Sequence, residues 1–130
     1  MRKLLLSTLV LVSAIGVVGC RSTVPVRNVE AAPIYTNTAN PKLDDISKAI
    51  IRAGTQLGWQ MRQKGPGFIE GELHLRKHMA RVHIKYDTKT YNITYADSYE
   101  LKYDGQNIHP NYNGWIQNLD NAIRSQLSAL

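Results

Sequence analysis

The sequence predicts a single α+β domain: a two-layer sandwich in which two helices cover one face of a five-stranded antiparallel meander, in the order α-β-β-β-β-β-α. Two stretches, one near residue 43 and one at the end of the sequence, carry apolar side chains at steps of three and four. Between them, five segments alternate apolar and polar residues, as strands with one buried face do. Two such helices and one such sheet bury their apolar faces against each other.

The first helix is predicted to begin after Asn40 and to end at Gly58. Asn40 suits the N-cap, and Pro41 suits the first helical position, where its missing N–H would have no partner. Asp44 and Asp45 follow in the first turn, where the helix dipole favours negative charge. The predicted buried stripe consists of Leu43, Ile46, Ile50, Ala53 and Leu57.

The meander is predicted from Trp59 to Tyr103, with a Gly-Pro-Gly turn at residues 65–67. The inward residues of the five segments are expected to be Trp59 and Met61; Ile69, Gly71, Leu73 and Leu75; Val82, Ile84 and Tyr86; Tyr91, Ile93 and Tyr95; and Tyr99, Leu101 and Tyr103. Short loops favour a register with Leu75 opposite Val82, Leu73 opposite Ile84, Tyr86 opposite Tyr91 and Tyr95 opposite Tyr99. On the outer face, this register places Glu72 opposite Lys85 and His74 opposite His83.

A loop containing Gly105 and Pro110 separates the meander from a last helix, which we predict at residues 113–129. Its apolar stripe is expected to consist of Trp115 or Ile116, then Leu119, Ile123, Leu127 and Leu130. The folded domain is therefore predicted to span residues 42–130.

The N-terminal segment has the organisation of a signal peptide. Arg2 and Lys3 are followed by an apolar run at residues 4–18, which is short for a membrane span of about 20 residues. The run ends in Val17-Val18-Gly19-Cys20, which resembles the lipobox of bacterial lipoproteins. The alternative is an uncleaved N-terminal helix with an incidental cysteine.

The resemblance to bacterial lipoproteins implies that residues 1–19 are removed and that Cys20 carries an S-diacylglycerol and an N-acyl group. Residues 20–41, rich in Pro, Thr and Asn, are then expected to form a mostly extended tether, although Val24, Val26, Val29, Ile34 and Tyr35 could pair along a sheet edge. Arg21 stands where an Asp would retain such proteins at the inner membrane. We therefore expect a lipid-anchored protein at the outer membrane that faces the periplasm, with the inner membrane as the alternative.

The composition limits the chemistry that is available to the predicted mature chain. Without Arg2 and Lys3, 14 basic and 10 acidic residues remain, a formal charge of +4, which together with the compartment argues against nucleic acid as a partner. Cys20 is the only cysteine, so once it is acylated no disulfide or thiolate site is available. No phosphate-binding loop, metalloprotease motif or serine nucleophile motif is present. The sequence thus predicts neither an enzyme nor a cofactor.

The candidate binding residues are the cations and imidazoles in the middle of the chain. We expect an anion-binding or partner-binding surface formed by Arg76, Lys77, Arg81, His83, Lys85 and Lys102, although an ordinary solvated sheet face is the alternative. His74 and His83 suggest a metal site, but it lacks a clear third ligand, and Arg76 and Arg81 would repel a cation, so no metal is predicted.

These observations predict a non-enzymatic binding or scaffolding module of the bacterial cell envelope that contacts a partner protein. The alternative is direct binding of an anionic envelope polymer or of lipid head groups through the basic sheet face.

Overall fold

The computed structural model describes residues 22–130, so the lipobox and Cys20 lie outside the described residues. The elements are β1 (Val24–Pro25), β2 (Val29–Pro33), α1 (Leu43–Gln56), β3 (Gln60–Gly65), β4 (Phe68–Leu75), β5 (His78–Tyr86), β6 (Thr90–Tyr99), β7 (Asn107–Ile108) and α2 (Pro110–Ser128). Five of the strands form one antiparallel sheet in the order β2-β6-β5-β4-β3, and β1 pairs with β7. The predicted α+β class, with one five-stranded antiparallel sheet and two helices, is confirmed.

The fifth strand of the sheet is not the predicted segment at residues 99–103. Tyr99 ends β6, and the left-handed φ angles of Glu100 (58°) and Lys102 (55°) prevent an extended strand beyond it. The free edge of β6 is occupied instead by β2, in which Val29 and Ala32 are buried against the core. The prediction of an extended tether is therefore wrong for residues 29–33. These residues form β2 because the edge of β6 provides hydrogen-bond partners and the core accepts their apolar side chains.

The register between β4 and β5 also differs from the prediction. Each side chain of the two strands nevertheless lies on the side of the sheet that was predicted for it. Leu73 pairs with Ala80 and Ile69 with Ile84, because the two strands are joined by a two-residue turn at residues 76–77. The difference in register is an even number of residues, so every side chain keeps its side of the sheet. Tyr86 pairs with Tyr91 as predicted.

The starts of both helices differ from the prediction, whereas the end of α1 before Gly58 agrees with it. Helix α1 begins two residues later than predicted, with Lys42 at the N-cap and no side-chain cap, and Gly58 follows its end with a φ of 89°. Helix α2 begins at Pro110, where the Nδ1 atom of His109 accepts a hydrogen bond from the backbone N–H of Asn111 (3.1 Å). The imidazole thus acts as an N-cap, satisfying one of the free donors of the first turn.

The core lies between the inner face of the sheet and the two helices. Ile46 and Ile50 of α1 and Ile116, Leu119 and Ile123 of α2 are fully buried. Of the five tyrosines predicted to point inward, Tyr86 and Tyr91 are buried, Tyr95 is half-buried, and Tyr99 and Tyr103 are exposed, so the prediction is wrong for the last two.

One carboxylate lies inside the core. Asp120 of α2 accepts hydrogen bonds from the hydroxyl of Tyr91 and from the Nε atom of Arg124 (3.3 Å). Burial, and then the hydrogen bond to Asp120, raises the pKa of Tyr91 well above its ordinary value. The tyrosine therefore stays a neutral donor, and the buried carboxylate is stabilised because it has partners.

Candidate functional site

The outer face of the sheet is the candidate binding site, because both helices lie on the opposite side and none of its side chains is buried. We use "outer face" for the side chains of three central strands that cross-strand pairing brings together. They are Phe68, Glu70, Glu72 and His74 of β4; Met79, Arg81, His83 and Lys85 of β5; and Asn92, Thr94, Asp97 and Tyr99 of β6.

Arg81 is the centre of this face and contacts carboxylates from both neighbouring strands. Its Nε and Nη2 atoms each lie 3.0 Å from Oε2 of Glu72 on β4, and Nη1 lies 3.3 Å from Oδ2 of Asp97 on β6. Oε1 of Glu70 is 3.6 Å from Nε. The planar guanidinium thus joins three strands through charge-assisted contacts.

Two imidazoles flank these carboxylates. Nε2 of His74 lies 2.5 Å from Oε1 of Glu72, and Nε2 of His83 lies 3.8 Å from Oε2 of Glu70. The two histidines do not face each other as predicted: His74 pairs with Met79, and His83 pairs with Glu70. Within residues 22–130, no group of three or more His, Cys, Asp or Glu residues is arranged to hold a metal ion.

The hydrogen bonds at the centre of the outer face shift the pKa of the groups that make them. The hydrogen bond from His74, followed by the contacts with Arg81, lowers the pKa of Glu72 in spite of its partial burial. The hydrogen bond to Glu72 in turn raises the pKa of Arg81. Both groups are therefore held in their charged forms at neutral pH.

Three of the predicted binding residues share the outer face. Arg81, His83 and Lys85 alternate along β5, as the sequence pattern indicated. The aromatic ring of Phe68 meets the ring of His83 edge to face at 5.0 Å, and the Nζ atom of Lys85 lies 5.6 Å from the centroid of Phe68. Lys85 is exposed and makes no ion pair within the described chain, so it is an available cation of this face.

The other three predicted residues lie elsewhere, so the six do not form one basic stripe. Arg76 and Lys77 occupy the turn between β4 and β5, and Lys102 lies in the loop after β6. A period-two pattern cannot place turn residues on a face, since the chain reverses there. The predicted surface thus divides into a charge-balanced face around Arg81 and a separate cationic end of the sheet.

Asp97 is the site residue that the sequence interpretation missed. If side chains alternated without interruption after the inward Tyr95, Asp97 would also point into the core. A β-bulge in the β5–β6 pairing, between Arg81 and Val82, shifts this alternation by one residue. Asp97 then pairs with Arg81 on the outer face. A carboxylate at an inward position was the signal in the sequence that the alternation is interrupted there.

A surface cavity of about 650 Å³ lies between the start of α1 and the β3–β4 turn, and it offers no activated nucleophile. Ser47 is the hydroxyl residue of its lining, and its Oγ donates to the carbonyl oxygen of Leu43 (2.9 Å) and contacts the hydroxyl of Tyr86. The Tyr86 hydroxyl also accepts from Nε2 of Gln63 (2.9 Å). These contacts join the helix to the sheet, and no imidazole among residues 22–130 lines the cavity.

Replacing Glu72 by Gln tests the charge network through its pH dependence. A carboxyl whose pKa is lowered in the folded state stabilises the protein above its unfolded pKa, and this contribution is lost as the pH falls through the lower, folded value. We therefore expect Glu72→Gln to be less stable than the wild type at neutral pH, with the difference vanishing in acid. Urea denaturation over a pH series measures this difference.

The matched control for this series is Glu30→Gln on β2, whose carboxylate makes no ion pair within residues 22–130. Its stability difference from the wild type should be small at every pH. An equal pH dependence of the two variants would contradict the network.

Comparison with known proteins finds no match to this chain among protein-family models, curated proteins or solved structures. Neither described helix combines the length and the apolar character that crossing a bilayer requires.

Proposed function

We propose that this protein is a lipid-anchored, non-enzymatic binding or scaffolding module of the bacterial cell envelope, which contacts a partner protein through its outer sheet face. Cys20 would hold it at the periplasmic side of the outer membrane through its acyl groups. The lipobox supports the anchoring part of the proposal, and the outer face supports the binding part.

The observation that carries the binding part is the fixed arrangement of charged side chains on the outer face. Arg81 is fixed by Glu72, Glu70 and Asp97 from two neighbouring strands, so the charged groups present a defined pattern before any partner arrives. Preorganised charges set the register and selectivity of a protein interface more than its affinity. Phe68, which is partly exposed on the same face beside His83 and Lys85, adds an aromatic group of the kind that is enriched at interfaces.

The alternative, an anionic polymer or lipid head group bound across the same face, has less support. Three carboxylates surround Arg81, so the centre of the face repels an anion as much as it attracts one. Among the described residues, the cations without an ion pair on this side of the sheet are Lys85 and, opposite Glu70 on the edge strand β3, Arg62. Salt separates the two proposals, since charges a Debye length of about 10 Å apart are screened at about 0.1 M salt. Binding of a polymer should fall steeply with salt, and binding of a protein with an apolar anchor should not.

Photo-crosslinking in cells tests the proposal directly. A photoreactive residue at Lys85 is expected to give one discrete protein adduct, identified by mass spectrometry, because Lys85 is exposed on the outer face. The matched control is Asn118, which is exposed on α2 in the other layer and should give no such adduct. Adducts spread over envelope polymer, or no adduct at Lys85, would contradict a protein partner.

Replacing Cys20 by Ser tests the anchor. The serine hydroxyl is a much poorer nucleophile than the thiol, so the diacylglycerol thioether cannot form. We expect the variant to accumulate as an uncleaved precursor that lacks acyl groups, which intact-mass spectrometry of the membrane fraction would detect. Cleaved Cys20→Ser that remains firmly attached to membranes would contradict the lipoprotein assignment.

A further inference from the structure

One end of the sheet combines exposed apolar and cationic side chains. We use "loop end" for the β4–β5 turn with its flanking residues and the loop that follows β6. Leu75 (47%), Tyr99 (62%) and Tyr103 (41%) are exposed there. The exposed cations of the loop end are Arg76, Lys77 and Lys102.

The backbone of the loop end holds these side chains in an unusual conformation. Arg76, Glu100 and Lys102 have φ angles of 56°, 58° and 55°. The left-handed region is unfavourable for an L-residue, and such conformations concentrate at functional positions. Leu101, which lies between two of them, is 2% exposed, so its burial holds the loop in place.

The described chain enters the fold beside the loop end. Val24 pairs with Ile108 in the small β1–β7 ladder. His109, the residue after Ile108, donates its backbone N–H to the carbonyl oxygen of Leu101 (2.8 Å). Nδ1 of His78, which directly follows the β4–β5 turn, lies 2.8 Å from the carbonyl oxygen of Glu100. A continuous set of contacts therefore connects the start of β1 to the loop end.

Because few residues separate Cys20 from β1, the distance between the loop end and acyl chains on Cys20 has an upper limit. Val24 is four residues after Cys20, and four extended residues span at most about 14 Å. Because β1 and β2 are paired strands and not a free tether, residues 24–33 do not extend that reach. Acyl chains on Cys20 would hold the loop end close to the head groups of the bilayer.

The side chains of the loop end are of the kinds that bind the head-group layer of a bilayer. Tyr side chains place a ring among apolar groups and a hydroxyl in water, and Lys and Arg extend their charges to lipid phosphates. The carboxylates of Glu100 and Asp104 are also present, so the three cations leave a small positive excess. Asp104 accepts hydrogen bonds from the backbone N–H groups of Gln106 and Asn107, so its carboxylate stays ionised and is held within its own loop.

We propose that the loop end docks onto the head-group layer of the same bilayer that holds the acyl chains of Cys20, with Tyr99, Tyr103 and Lys102 in contact with anionic phospholipid. This inference rests on the proposed lipid anchoring. The protein would then sit with one end of its sheet against the membrane, and the far end, at the β3–β4 and β5–β6 turns, would point away from it.

A fluorescence-quenching experiment on the full mature protein tests this orientation. The protein is purified from membranes, reconstituted into vesicles of phosphatidylethanolamine and phosphatidylglycerol, and labelled at Lys77→Cys or, as the matched control, Thr88→Cys. Both positions are exposed turn residues, at opposite ends of the sheet. A spin label on the lipid head group should quench the fluorophore at 77 several-fold more than at 88. Equal quenching would overturn the proposal.

A second pair of variants tests the aromatic contact. Tyr99 and Tyr35 are both strongly exposed, but Tyr35 lies near Arg124 and Leu127, away from the loop end. Tyr99→Glu should reduce quenching of the label at 77, and Tyr35→Glu should leave it unchanged. The same loss with both variants, or with neither, would overturn the proposed contact.

The mass of the Cys20 peptide separates the two levels of the proposal. If Cys20 carries no acyl groups, the anchoring function and this orientation fail together. If Cys20 is acylated but the labels at 77 and 88 are quenched equally, only the orientation fails.

Discussion

Replacing Ile123 by Asp is expected to unfold the protein. Ile123 is fully buried between α2 and the sheet, in the apolar core. An ionised carboxylate there would have no partner, and even the protonated form would leave buried polar groups, so we expect a loss of at least about 4 kcal/mol. A domain of this size has roughly 5–15 kcal/mol of stability in total. Circular dichroism and urea denaturation would measure the loss.

The same helix provides the controls for this prediction. Asn118 is exposed on α2, and Asn118→Asp should change the free energy of unfolding by less than about 0.5 kcal/mol. Asp120, three residues before Ile123, shows that burial of a carboxylate is tolerated where Tyr91 and Arg124 provide hydrogen bonds. A cooperative transition of Ile123→Asp at the wild-type urea concentration would contradict the core described above.

Replacing Gly67 by Ala is expected to have the second largest effect. Gly67 has a φ of 70°, and an added Cβ would lie 2.5 Å from the backbone oxygen of Tyr86. The left-handed conformation costs about 1–2 kcal/mol for an L-residue, and the clash adds to it because a backbone atom in a paired strand cannot move away freely. We expect a loss of more than about 2 kcal/mol in the free energy of unfolding.

Gly58→Ala separates the two contributions. Gly58 also has a positive φ (89°), but the atom nearest to its added Cβ is Cδ1 of Leu73 at 3.9 Å, an ordinary contact. It should therefore show the cost of the conformation without the clash. Equal urea midpoints of the two variants would show that the strand at Tyr86 yields to the added methyl group.

The separate elements of the fold follow from patterns along the chain. Helical spacing placed Ile46, Ile50 and Ile123 in the core, and period two assigned Glu72, Arg81 and His83 to the outer face, where they lie. Both patterns are local consequences of backbone geometry, in which a helix turns every 3.6 residues and a strand alternates sides. The lipidation of Cys20 and the envelope location are predictions from the same sequence and await the Cys20→Ser test.

The candidate site was predictable only in part. The sequence indicated that Arg81, His83 and Lys85 share a face, but it could not show that Arg81 is neutralised by carboxylates. That arrangement depends on the two-residue turn between β4 and β5 and on the bulge opposite Val82, which together set which residues are neighbours. Each involves the pairing of two strands, so neither can be read from one strand alone.

The sequence by itself determined the α+β class, the order of helices and sheet, and the buried side of most elements, because these depend on spacings within one segment. Only the tertiary structure decided that Val29–Pro33 completes the sheet, that Tyr99 and Tyr103 are exposed, and that the predicted basic stripe is divided. Those features depend on competition for the backbone edge of β6 and on the register of neighbouring strands. That competition is settled between segments distant in sequence, where local propensity carries no information.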